Sequence, residues 1–135
     1  MARRWFKHLW AWGPAVGFLV AIFCVSGMSH PDFFIGLFLG HQKVGHFVAY
    51  GFLCVLLFRA LRYSCRPWVF HWAPVIALVL ASFYGATDEF HQLFVPGRSG
   101  EVRDWAIDTL GALTAAVVLL VYAEIRDRPT DKRCD

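Results

Sequence analysis

The chain has 135 residues, 58% of them hydrophobic, with six tryptophans and a mean hydropathy of +0.49, which is more apolar surface than a soluble domain of this length needs. A net charge of +3 is too weak to argue for nucleic acid, and four cysteines without a CxxC pair exclude a disulfide scaffold and a thiolate zinc site. The length suits one domain, residues 1–135.

The apolar residues fall in four blocks, each close to the ~20 residues a helix needs to cross a bilayer. The first, 9–28, follows the basic segment "MARRWFKH". Its apolar run is long for a signal peptide and no small-x-small cleavage site follows it. Phe23 is also too large to precede a processed lipoprotein cysteine at Cys24. The block therefore reads as a retained span, anchored by Arg3 and Arg4. The segment "SHPDFFIGLFLGHQK" leads to the second block, 44–61. The basic loop "RALRYSCRPW" precedes the third, 72–94, whose end carries Asp88, Glu89, His91 and Gln92. Pro96-Gly97 then stops the helix and turns the chain. The fourth block is 105–123, and 124–135 is a short charged tail. Charged faces do not recur through these blocks with helical period. The expectation is an all-α membrane protein, a four-transmembrane-helix bundle rather than amphipathic helices around a soluble core.

Lysine and arginine set the orientation. With four crossings both termini share a side, and that side carries Arg3, Arg4, Lys7, Arg59, Arg62, Arg66, Arg126, Arg128, Lys132 and Arg133. The other side carries Lys43, Arg98 and Arg103. Ten against three places both termini in the cytoplasm and the segments 29–43 and 96–104 outside. The expected location is the cell membrane, multi-pass, with membrane lipids as partners and no nucleic acid.

On that topology the polar residues of three helices come to one depth near the outer face. Helix 2 offers Lys43, His46 and Tyr50; helix 3 offers Asp88, Glu89 and Gln92; helix 4 offers Asp104 and Asp108. An ionisable group at mid-helix costs about 2.5–3.5 kcal/mol on insertion scales, so these groups are expected to face one another or a wet cleft. Tyr84, Asp88 and Gln92 repeat every fourth residue as one stripe. Asp104, Asp108, Gly111 and Ala115 form a second stripe, with small residues that let helices approach. Arg98 and Arg103 are expected to fold back over the acids as a cationic lid.

Plainer readings stand beside this one. Asp104 and Glu101 also suit simple contact with headgroup water, and the whole set also suits a structural ion-pair network. His8, His30, His41 and His71 read as interfacial, His91 as undecided, and the tryptophans as belt residues. There is no Walker A, HExxH, GxSxG or GxGxxG motif. His46, Asp88, Glu89 and His91 are ligand-type residues, but no two histidines share a helix at ligand spacing. No metal site is therefore assigned, and the sequence identifies no cofactor.

The stretches "KVGHFVAYGFL" (43–53) and "YGATDEFHQLFVPGRSGEVRDWAIDTLGA" (84–112) resemble the two signatures of the VanZ-like family of integral membrane proteins. Lys43, His46, Phe47 and Tyr50 match the first. Asp88, Glu89, Gln92, Pro96 and Arg98 match the most specific run, D-E-x-x-Q-x-x-x-P-G-R, and Asp104 and Gly111 match its continuation. Gln42 stands where that family often has Asp, and Asp108 where Asn is usual; the second departure adds a negative charge. The resemblance implies a small membrane protein linked, through the family's teicoplanin-resistance protein, to glycopeptide susceptibility at the cell envelope. It implies no particular reaction.

Three functions fit these residues. The first is an enzyme, a hydrolase or transferase, on a lipid-linked phosphate or sugar. Glu89 or Asp88 would be the general acid or base and His46 the proton partner. Lys43, Tyr50, Gln92, Arg98, Asp104 and Asp108 would hold the substrate. The second is a non-catalytic binder that changes how an envelope amphiphile, a lipid-linked precursor or a lipoglycopeptide sits at the surface. The third is a structural membrane subunit whose acids lock the helices together.

Overall fold

The computed structural model describes residues 2–28, 42–63 and 66–126. The segment 29–41 and the tail 127–135, with the expectations attached to them, lie outside the described residues. The elements are α1 (Ala2–Ser26), α2 (Gln42–Leu61), α3 (Pro67–His71), α4 (Ala73–Gln92) and α5 (Val102–Arg126), with no strand among the described residues.

The helices follow the apolar blocks but overrun some of their edges. α1 begins at Ala2 rather than 9, and α5 runs from Val102 to Arg126 rather than from 105 to 123. A backbone near lipid keeps its hydrogen bonds internal beyond the last apolar side chain, so hydropathy underestimates helix length. The short α3 was expected as loop. Its start at Pro67 is a favourable first helical position, because proline has no N–H to leave unpaired and its φ is already helical. A single residue, Trp72, then separates α3 from α4.

Among the described residues, three helices are long and apolar enough to cross a membrane: Phe6–Ser26 within α1, Lys43–Leu61 within α2, and all of α5. α4 has the same 20 residues as α2 but closes with Asp88, Glu89 and Gln92.

The four long helices alternate in direction. At one end, the Arg59 side chain of α2 donates to the Trp10 carbonyl of α1 at 3.3 Å, joining the end of one helix to the start of the other. At the opposite end, His91 of α4 stacks on Phe23 of α1, with ring centroids 4.5 Å apart. Tyr84 also donates to the Leu19 carbonyl at 2.7 Å, tying α4 to α1.

α2 is the central helix and packs most closely on α5. Gly111 makes that approach available: a Cβ there would fall on the Phe47 carbonyl oxygen and lie 2.9 Å from its carbon. Gly51 faces the Gly111 carbonyl from the other side. Between α4 and the rest, the buried face is small, with Ala73, Ala77 and Ala81 opposite Ala112 and Ala116. Large apolar side chains such as Phe83, Phe90, Val118 and Ile125 point outward, while Asp108, Asp88 and Glu89 are buried. A water-soluble core has the opposite arrangement. Small residues on the buried faces of α4 and α5 with large apolar ones outside is the pattern of helices packing in lipid.

Candidate functional site

The polar side chains meet at the bundle end opposite Arg59, where α2 and α5 start and α4 finishes. Asp108 is fully buried, one turn before the Gly111 contact that draws α5 against α2. That contact puts Asp108 opposite His46, and His46 Nδ1 lies 2.9 Å from Asp108 Oδ1. The two form an ion pair when the imidazole is protonated. It crosses 62 positions of sequence, so tertiary packing alone creates it.

α4 supplies the third wall. Gly85 lies on the same face as Asp88 and Glu89, and a side chain there would press on Asp108 and on the Tyr50 ring, each at 3.3 Å. The lack of one lets Asp108 sit against α4. Glu89 is then close enough for ligand-type atoms of His46, Glu89 and Asp108 all to lie within 4.8 Å of one another.

Each acid is held differently. Gln92 Nε2 donates to Asp88 Oδ2 at 3.1 Å and to Glu89 Oε1 at 3.4 Å, so one amide group bridges two carboxylates. The Glu101 backbone N–H donates to Glu89 Oε2 at 2.9 Å. The loop reaches that position because Gly97 turns with φ 82° and Gly100 lies flat against the Glu89 carbonyl, where any Cβ would collide. A backbone loop therefore covers Glu89.

The expected cationic lid does not form as an ion pair among the described residues. Arg98 is half-buried with its Nε unpartnered, and Arg103 is exposed. Lys43 is exposed too, one turn outside His46. The tight turn at Gly97–Gly100 spends its reach on backbone contact and leaves the guanidinium groups off the acids.

The other expected residues divide the same way. Tyr50 is 1% exposed, stacks parallel to His46 at 6.5 Å, and lies within electrostatic range of Asp88 and Asp108. Asp104 is half-buried, within range of His46 and Glu89. Of the stripe Tyr84, Asp88 and Gln92, the last two face the cluster and Tyr84 turns to α1. His91, undecided from sequence, packs on Phe23 and belongs to the α1 contact.

Sequence reasoning missed five contributors. Ser82 and Thr109 pair through their hydroxyls at 2.8 Å and join α4 to α5. Trp105 donates to the Ser82 carbonyl at 3.0 Å beside them. Gly85 and Gly100 admit Asp108 and the covering loop. The only advance signal was placement, Gly85 three and four residues before the paired acids and Gly100 just after the turn.

No curated protein and no solved structure matches the chain. The VanZ/LLP1 family model matches residues 4–123, nearly the whole sequence and every residue of the cluster. With its apolar helices of spanning length, the chain is a membrane protein that belongs to the VanZ/LLP1 family.

Proposed function

We propose that the chain crosses the membrane four times with both termini cytoplasmic. The polar cluster then faces the extracytoplasmic side, where it holds the polar part of a cell-envelope amphiphile. One observation carries the reading: three ionisable side chains from three helices are buried together at one end of a bundle whose outer surface is apolar. Such groups are costly within a membrane and mark pathways, binding sites or catalytic sites. A fourth crossing by α4 is supported by its 20 residues, about 30 Å of helix. The orientation rests on ten cytoplasmic lysines and arginines against three outside.

The enzymatic form of this reading is a hydrolase or transferase on a lipid-linked phosphate or sugar. The 2.9 Å bond from Asp108 to His46 favours it, because it fixes the imidazole beside Glu89 as a general-base arrangement requires. A changed susceptibility to teicoplanin is the expected cellular signature of an altered envelope amphiphile.

Topology is tested with a membrane-impermeant maleimide on intact cells. With the other cysteines replaced, Ser99→Cys is expected to label from outside and native Cys134 only after lysis. Labelling of Cys134 in intact cells would overturn the orientation.

Glu89→Gln tests function against scaffolding. The amide retains an oxygen for the Glu101 N–H, so folding is expected to survive, while loss of an acid–base group costs typically 10²–10⁴-fold in rate. The expected result is a wild-type melting curve in detergent. Lipid extracts or teicoplanin susceptibility should match those of cells lacking the protein. A protein that loses stability and phenotype in proportion would make the acids structural.

A further inference from the structure

We propose that His46, Glu89 and Asp108 form a binding site for one divalent transition-metal ion, with manganese(II) and zinc(II) as the fitting chemistry. The site shares the cluster assigned to the amphiphile but does not rest on that assignment.

Geometry comes first. The three side chains descend from three different helices and are all buried, with ligand atoms no more than 4.8 Å apart. Ligands ~2.1 Å from one tetrahedral ion stand ~3.4 Å apart, so a set already within 4.8 Å closes on an ion with side-chain movements of about one ångström. One imidazole nitrogen with two carboxylate oxygens suits a borderline ion. Calcium and magnesium favour all-oxygen shells, and thiolate-seeking ions find no sulfur here.

A second observation points to a missing positive partner. Asp108 is 0% exposed and its Oδ2 is buried without a hydrogen bond, while Asp88 Oδ1 is buried with the Tyr50 hydroxyl beside it. Native structures leave few such atoms unpaired. No lysine or arginine pairs with these acids among the described residues, and the segment 29–41 contains neither residue type. A bound cation would satisfy the charge that His46 alone does not balance.

The supports expected around a metal are also present. Gln92 braces Glu89 and Asp88 together, and the Glu101 N–H fixes the other oxygen of Glu89. Three protein ligands leave the ion with open coordination positions, which water or an anionic oxygen fills.

The test uses full-length protein purified in detergent, stripped with chelator and titrated with manganese(II) alone. One ion per chain is expected, displaced by zinc(II). His46→Gln, Glu89→Gln and Asp108→Asn should each weaken binding by ~100-fold or more, and Gln92→Ala by about 10–100-fold. Glu124→Gln, which alters an exposed side chain at the far end of α5 from the cluster, should bind as wild type. Pulsed electron paramagnetic resonance of the manganese-loaded wild type should show coupling to a directly bound imidazole nitrogen. That readout needs no variant to fold. No binding by the wild type, no nitrogen coupling, or binding unchanged in all three ligand variants overturns the site. A metal-free result would leave the Glu89→Gln lipid phenotype untouched, so the two proposals fail separately.

Discussion

Gly111→Val is expected to yield almost no correctly assembled protein. A Cβ at this position would fall on the Phe47 carbonyl oxygen and 3.0 Å from the Phe47 Cα. Those atoms are helix backbone and cannot rotate aside, so α2 and α5 must separate. Over-packing a core commonly costs about 1–3 kcal/mol where side chains can give way, and here they cannot. The displacement would also part His46 from Asp108, one turn along α5, and Ser82 from Thr109. Even Gly111→Ala is expected to fall well below wild type. Gly13→Ala and Gly17→Ala are the controls, because nothing lies within 4 Å of a Cβ at either position. They should melt at or above wild type, since alanine favours helix over glycine by about 0.8–1 kcal/mol. Fluorescence-detected size-exclusion chromatography and thermal melting in detergent read the contrast. A Gly111→Val protein that elutes and melts like wild type would mean that α2 and α5 do not touch there.

His46→Ala and Asp108→Ala are each expected to destabilise the apo protein by about 3–5 kcal/mol, the usual result of removing one partner from a buried pair. The double variant should lose much less than the sum of the two, because removing both leaves neither group without its mate across the 2.9 Å gap. Measurement in chelator keeps any bound ion out of the comparison. A solvated pair behaves differently, worth about 0–1 kcal/mol with additive single changes. Small additive effects would therefore mean that the bundle end is open to water and that His46 and Asp108 are not buried together. Asp108 is also where asparagine is usual in the resemblance noted from sequence. Asp108→Asn thus asks directly what the added charge does in this chain.

Much of this protein was determined by its sequence alone. Apolar blocks without charged stripes specify helices, three of them among the described residues long and apolar enough to span, because a helix satisfies its own backbone hydrogen bonds in lipid. The VanZ-like motif residues and their common depth marked one end of the bundle as polar. The membership in the VanZ/LLP1 family agrees with that resemblance.

What the sequence did not determine is which polar groups meet. Helical periodicity assigns residues to faces of one helix. A helix that is apolar nearly all round has no amphipathic stripe to fix its rotation against neighbours, and the bilayer supplies no preference among apolar faces. In this bundle the rotations are set by close contacts at Gly111, where only a missing Cβ permits the approach, and at Gly51 and Gly85, where a Cβ would press on its neighbours. Those contacts chose His46 for Asp108, brought Glu89 to both, and turned Tyr84 away to α1. Charge complementarity suggested Arg98 and Arg103 as a lid over the acids. The short turn through Gly97 and Gly100 instead laid backbone over Glu89 and left both guanidinium groups off the cluster, because a loop pinned that closely cannot also extend a guanidinium across its own acids.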